Sequence, residues 1–184
     1  MGGASVDKRK EENLRVKESI TKTLFHIMQS KSLSEITITE IVKGANVARA
    51  SFYRNYCSKE DVLLTLIRDV LEQFRQEMQE GPFGIYTYEN IFLSFRYFRR
   101  YRDYVLDLYR SGFGMVLLEE INHFHESIEG TMPSSSVKKY ALYMYIGALF
   151  NTAITWLCDE KPVSIEDIAS YFFAEVKKFL LVED

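Results

Sequence analysis

The sequence predicts an all-α protein of about nine helices, with a helical hairpin near the N-terminus followed by a C-terminal helical bundle. Three observations carry that expectation. Apolar residues recur at spacings of three and four along most of the chain, the period of a helix with one buried face. Only three prolines occur in 184 residues, so long helices go uninterrupted. The one alternation of period two, Ile36-Thr37-Ile38-Thr39, is too short to specify a strand.

The elements follow from breaks and stripes. Gly81-Pro82-Phe83-Gly84, Ser111-Gly112-Phe113-Gly114, residues 130–136 and residues 159–164 mix the residue types that end helices or supply turns. Val16, Ile20, Leu24 and Ile27 make the stripe of the first helix. Leu117, Ile121, Phe124 and Ile128 repeat the pattern, as do Ile165, Ile168, Phe172, Val176 and Phe179. The segment 137–158 carries no charge after Lys139 and is apolar or aromatic on every side. Such a helix is expected to be buried all round, against a second subunit or at the centre of a monomeric bundle.

Composition bounds the function. With 47% hydrophobic and 14% aromatic residues and a net charge of -3, the chain is not of the disordered class. No stretch is expected to reach the roughly 18 uncharged apolar residues of a membrane helix. Residues 1–17 lack an apolar stretch that would direct export, and Cys57 and Cys158 have no metal or redox spacing, so a cytoplasmic setting is expected. Charge is unevenly spread. Residues 1–60 hold eleven Lys/Arg against seven Asp/Glu, whereas residues 61–184 hold twelve against nineteen. A basic first third on an acidic remainder is a weak footprint for nucleic acid.

The informative stretch is Thr37 to Asp61. Thr39 is placed to cap a short helix carrying Ile41, Val42 and Ala45. Asn46 suits a turn through positive φ. A second short helix then runs from about Arg49 to Tyr56, with Phe52 and Tyr56, four apart, facing the core. That leaves Arg49, Ser51, Tyr53, Arg54 and Asn55 outward. Ser58-Lys59-Glu60-Asp61 reads as a capping box opening the next helix, with Val62, Leu63, Leu66 and Ile67. An outward face of Arg, Ser, Tyr and Asn without an acid offers base-edge and phosphate donors to DNA. A solvated helical hairpin within a bundle has the same spacing.

The run T-I-T-E-I-V-x-x-A-N-V-x-R-A-S-F-Y-R-N-Y-x-S-K-E-D-V-L resembles the signature of the tetracycline-repressor (TetR) family of bacterial transcriptional regulators, over roughly residues 15–70. The resemblance implies a three-helix DNA-binding domain over 1–57, with its helix-turn-helix at about 39–56. It implies a connecting helix over 58–80 and a ligand-binding and dimerisation domain over 81–184. Residues 137–181 also resemble a subgroup of these regulators with no agreed ligand. By position, Thr39 would start the first hairpin helix at a phosphate. Arg49, Ser51, Arg54 and Asn55 would face the groove, with Tyr53 and Lys59 on phosphates and the Tyr56 hydroxyl within reach of the DNA backbone. The partners implied are a pseudo-palindromic double-stranded operator, a small-molecule effector and a second copy of the chain, with no membrane and no cofactor. Two departures stand out. Ala48 occupies the place of a capping Ser or Thr, and Asn46 that of a Gly.

Other chemistry finds little footing. His123 and His125 lie about 200° apart on a helix and cannot share one metal ion. Glu119 and His123 have the spacing for an ion but equally that of a surface pair. No Ser/His/Asp or Cys/His constellation, phosphate loop or dinucleotide motif occurs, so no enzyme is expected. Arg96, Arg99, Arg100 and Arg102 form either an anion-binding group or a solvated face. Phe95, Phe98, Tyr143, Phe150 and Trp156 are the expected lining of an effector cavity. Phe173 and Leu180, off the stripe of the last helix, are expected to face a partner subunit. A helical adaptor that binds a protein through the same fold is the alternative function.

Overall fold

The computed structural model describes residues 3–79, 84–130 and 136–180, with side chains from Lys8 to Lys178. Nine α-helices and no strand occur among the described residues: α1 Gly3–Met28, α2 Ile38–Gly44, α3 Arg49–Asn55, α4 Lys59–Gln79, α5 Tyr88–Arg100, α6 Arg102–Leu108, α7 Gly114–Glu129, α8 Val137–Cys158 and α9 Ile165–Leu180. A 3-10 turn at Leu33–Glu35 precedes α2, and a π turn at Tyr109–Phe113 joins α6 to α7. The chain divides into Met1–Arg68 and Asp69–Asp184, so α4 begins in one unit and ends in the other.

In the first unit α1 buries Ile20, Leu24 and Phe25, while Val16 and Ile27 of the expected stripe are half-buried. They close over Leu33, Ile36, Ile41, Ala45, Phe52 and Tyr56, with Val62, Leu63 and Ile67 from the start of α4. Gly44 permits this packing. A β-carbon there would lie 2.7 Å from the Thr23 methyl of α1, and the Ser19 hydroxyl donates to Ala45 O at 2.9 Å beside it.

The cap of α2 differs from expectation. Thr37, not Thr39, is the N-cap: its Oγ1 accepts from the Glu40 amide at 3.2 Å, and the Glu40 carboxylate accepts from the Thr37 amide at 2.9 Å. The reciprocal pair satisfies two otherwise orphaned amides and fixes the helix start two residues earlier. At the start of α4 the Ser58 hydroxyl accepts from the Asp61 amide at 3.1 Å, as expected. The returning carboxylate reaches the Cys57 amide at 2.8 Å rather than that of Ser58.

The second unit is organised by aromatic rings. Phe95 of α5 is fully buried, edge-on to Trp156 of α8 at 5.7 Å and to Phe172 of α9 at 5.8 Å. A neighbouring group joins Phe74 and Met78 of α4, Leu93 and Tyr97 of α5 and Phe124 of α7. Arg102 donates Nε and Nη2 to Leu157 O at 3.2 and 3.0 Å, capping the C-terminal end of α8 with charge of the favourable sign.

Two expectations for α8 are corrected. It is long and apolar enough to cross a membrane by length and composition, and half of that stretch is buried within the fold, as in a core helix. Nor is it buried all round. Val137, Tyr140, Met144, Ala148, Asn151 and Thr155, spaced three or four apart, form an exposed stripe opposite Leu142, Ile146, Leu149 and Ala153. Tyrosine and alanine occupy both faces, so the sequence shows little amphipathic contrast to mark the exposed one.

Candidate nucleic-acid interface

The outward side of the hairpin is set by its inward side. Phe52 is fully buried and Tyr56 nearly so, their rings 5.7 Å apart, which locks the rotation of α3 about its axis. Asn46 adopts φ 52, and the Val47 amide donates back to Val42 O at 3.0 Å, closing the turn between the hairpin helices. Ala48 caps α3 in extended geometry with no side-chain hydrogen bond.

With that rotation fixed, Arg49, Tyr53 and Arg54 are exposed and Ser51 and Asn55 are half-exposed. Arg49 is held in place. It donates to Thr39 Oγ1 at 2.9 Å and Tyr53 Oη at 3.1 Å, with its guanidinium 5.4 Å from the Tyr53 ring centre. Thr39, which does not cap α2, therefore joins Arg49 and Tyr53 in one exposed polar group spanning both helices. Asn55 uses its Nδ2 on Ser51 O at 2.9 Å, leaving its Oδ1 as the atom turned to the surroundings. Arg54, near the end of α3, is exposed.

Lys59 sits differently from expectation. Its ammonium donates to Ser34 O at 3.1 Å and Ile36 O at 2.7 Å, fastening the segment before α2 to the start of α4. Tyr56 is 3% exposed and contributes packing first. The electrostatics favour an anion. No acid lies on α3, and the one on α2, Glu40, is paired: its bonds with Lys31 and Thr37 keep it ionised, with its pKa pulled down to about 2, and its charge is matched by the Lys31 ammonium. Exposed Lys43 on α2, and Lys8, Arg9, Lys10 and Arg15 on α1, add cations that the motif did not single out. The T-x-x-E spacing from Thr37 to Glu40 was the signal for the true cap.

The expected effector residues separate into distinct settings. Phe95 and Trp156 meet edge to face, Trp156 donates Nε1 to Val163 O at 2.9 Å, and Arg99 lies 5.5 Å from the Trp156 ring centre. Phe98 and Phe150 form a second pair at 6.4 Å. Tyr143 belongs elsewhere: its hydroxyl donates to Glu126 of α7 at 2.6 Å, and Lys139 pairs with the same carboxylate at 2.7 Å. Of the arginine group, Arg96 pairs with Glu77, Arg99 and Arg100 lie over rings and Arg102 caps α8. His123 is exposed and His125 buried, so the two diverge as their spacing requires. Phe173 is half-buried against the Tyr88 ring at 6.0 Å, and the Leu180 side chain lies outside the described residues.

No family model matches the chain. A segment of 61 residues is 34% identical to the HTH-type transcriptional regulator EthR of Mycobacterium tuberculosis, covering 33% of this chain and 28% of that protein. One of 56 residues is 34% identical to the uncharacterized HTH-type transcriptional regulator YxbF of Bacillus subtilis, covering 30% of this chain and 15% of that one. The matches therefore span less than a third of these relatives' length. Whole-chain likenesses run further. A TetR transcriptional regulator from Streptococcus agalactiae superposes with a TM-score of 0.63 at 22% identity, over 95% of this chain and 99% of that one. The fatty acid degradation regulator FadR of Bacillus halodurans gives 0.57 at 14% identity, over 90% and 96%. The dihydroxyacetone kinase operon activator DhaS gives 0.54 at 15%, over 92% and 98%.

Proposed function

Because the chain has the fold of the TetR regulators and a segment similar to HTH-type transcriptional regulators, we propose that it is a DNA-binding transcriptional regulator, a homodimeric cytoplasmic repressor released from a pseudo-palindromic operator by a small molecule. The observation that carries the reading is the exposed, acid-free side of α3, with Arg49 tied to Thr39 and Tyr53 and with Arg54 free to approach a base edge. Two such helices, one per subunit, would enter successive major grooves about one helical turn apart. Ser51 and Asn55 would complete the groove face, Thr39 and Tyr53 would touch phosphates, and Lys59 would act by holding the hairpin in position.

The dimer is assigned to the exposed stripe of α8 and the adjoining face of α9, including Phe173 and Leu180. An exposed stripe that is apolar from Val137 through Tyr140 and Met144 to Ala148 supports a partner helix there, and a twofold axis would bring the same surface from each copy together. The effector would act from the second unit by binding one dimer spacing better than the other. The proteins it resembles are regulators rather than enzymes.

Selection of bound sequences from random double-stranded DNA tests the reading. The expected result is a palindromic consensus whose binding weakens steeply with salt. No enrichment, or a salt-independent association with protein partners only, would favour the helical adaptor instead.

A further inference from the structure

Two deeply buried side chains of the second unit each end in an atom with no hydrogen-bond partner among the described residues. Asn90 of α5 is fully buried, and its Oδ1 is unpartnered. His125 of α7 is 4% exposed, and its Nε2 is unpartnered. Both orientations are dictated by what the other end does. Asn90 Nδ2 lies 2.9 Å from Ile85 O and His125 Nδ1 lies 2.8 Å from Ile121 O. A carbonyl only accepts, so an N–H must point at each of these oxygens. The atoms turned away are then an amide oxygen and an imidazole lone pair, both acceptors. Burial disfavours the imidazolium and keeps His125 in this neutral form.

Contacts run from Asn90 to a pair of tyrosines, and the charge of Glu129 ties the end of α7 that carries His125 to the same pair. Ile85 O, already bonded by Asn90, also accepts from the Tyr145 hydroxyl of α8 at 3.0 Å. The Tyr145 ring meets Tyr86 edge-on at 4.9 Å. The negative charge of Glu129 acts on the Tyr86 hydroxyl, and Glu129 lies one turn beyond His125 on the same face of α7. Asn122, one turn before His125 on that face, carries a third buried and unpartnered acceptor, its Oδ1. A buried acceptor left unpaired loses its hydration without return, so a cluster of them on packed helices calls for a donor from outside the chain.

We propose that Asn90 Oδ1 and His125 Nε2, flanking Tyr86 and Tyr145, form the polar end of the effector site, and that the effector is a small apolar molecule bearing a hydroxyl or amine donor. This inference rests on the proposed effector-responsive regulator and names the chemistry its ligand must have. It moves the site away from Trp156, whose ring and Nε1 are already engaged. A carboxylate would set acceptor against acceptor, and a bare hydrocarbon would leave both atoms unpaired.

The test melts the full chain without DNA, so that its outcome is independent of operator binding. Benzyl alcohol, benzylamine, toluene and benzoate serve as matched probes. The alcohol or the amine is expected to raise the Tm by roughly 3–6 °C at ten times its Kd, with little effect from toluene or benzoate. Each of His125→Phe and Asn90→Leu should abolish that rise. His125→Phe should itself melt near the unmutated protein, since it removes an unpaired atom. In case either variant folds poorly, the imidazole ¹⁵N spectrum of the unmutated protein gives a second reading, in which the buried Nε2 resonance should move with the donor probes and stay with toluene. The proposal is overturned if toluene matches the donors, if no probe raises the Tm, if the rise survives both substitutions, or if the Nε2 resonance does not respond.

Discussion

Ala48→Ser should make the protein more stable, and the structure says by how much. Ala48 is the N-cap of α3, with φ -67 and ψ 143, and it carries no side-chain acceptor. Its carbonyl already accepts from the Ser51 and Phe52 amides at 2.8 and 3.3 Å, so the helix is entered correctly without a cap. The extended dihedrals are those from which a serine hydroxyl accepts from the second or third amide of the helix. Position 48 is exposed, so the added oxygen displaces no packed neighbour. A serine-for-alanine exchange at such a cap contributes about 1 kcal/mol, within a range of roughly 0.5–2. With a urea dependence of about 1–3 kcal/mol/M, the unfolding midpoint should rise by roughly 0.3–1 M, followed by far-UV circular dichroism. Ala50→Ser provides the control. It is equally exposed but lies inside the helix, where serine is the poorer former, so its midpoint should fall slightly. Thr37→Ala should lower the midpoint by a similar amount, because it removes the cap α2 does possess. A midpoint for Ala48→Ser at or below that of the unmutated chain would refute the capping argument, as would an equal gain from Ala50→Ser.

Other outcomes are expected on the same grounds. Arg54→Ala should cost roughly 1–3 kcal/mol in operator binding and relax base preference, whereas Tyr53→Phe should weaken all sequences alike; titrations against a consensus and its single-base variants separate the two. Phe52→Ala should cost about 3–5 kcal/mol of stability, measured by urea unfolding, because a fully buried ring that fixes α3 is lost. His125 is held neutral by burial, with its pKa below the ordinary 6.5. As pH falls through about 6.5 the unfolded chain takes up a proton that the native chain refuses, so stability is full above that pH and declines below it. Urea midpoints from pH 7.5 to 5.5 should therefore flatten in His125→Phe, ahead of the window in which Glu40 and the other paired carboxylates protonate. Met144→Asp, on the exposed stripe of α8, should yield monomers of 21.5 kDa by sedimentation. Phe173→Asp should do so with some loss of stability, because that ring also rests on Tyr88.

The hairpin was legible because its determinants are local. Asn46, Phe52, Tyr56 and Ser58 each act within four residues of their partners, and all four stand as their neighbours require. Thr37 and Thr39 were harder to rank, since either can cap and only the Glu40 carboxylate decides between them. Lys59 could not be placed by spacing, because its carbonyl partners, Ser34 and Ile36, are brought to it by the tertiary fold. The effector residues suffered the same way. Trp156 and Tyr143 share a helix but face different neighbours, and no periodicity separates a ring that lines a cavity from one that fills a core. Asn90 carried no motif at all, and His125 stood out only through its spacing from His123, which argues against a shared metal.

The turn at Asn46 has a consequence for how the protein ages. An exposed asparagine decays when the next residue's backbone nitrogen attacks its side-chain amide carbon and expels ammonia, forming a succinimide that water opens to aspartate or isoaspartate. Here that nitrogen belongs to Val47, whose amide is committed to Val42 O at 3.0 Å and whose branched side chain crowds the approach. A negative charge, or a backbone lengthened by one methylene, would otherwise arise directly before α3. The hydrogen bond that closes the turn thus also guards the hairpin against chemical wear, and prolonged storage should leave Asn46 intact while the chain remains folded.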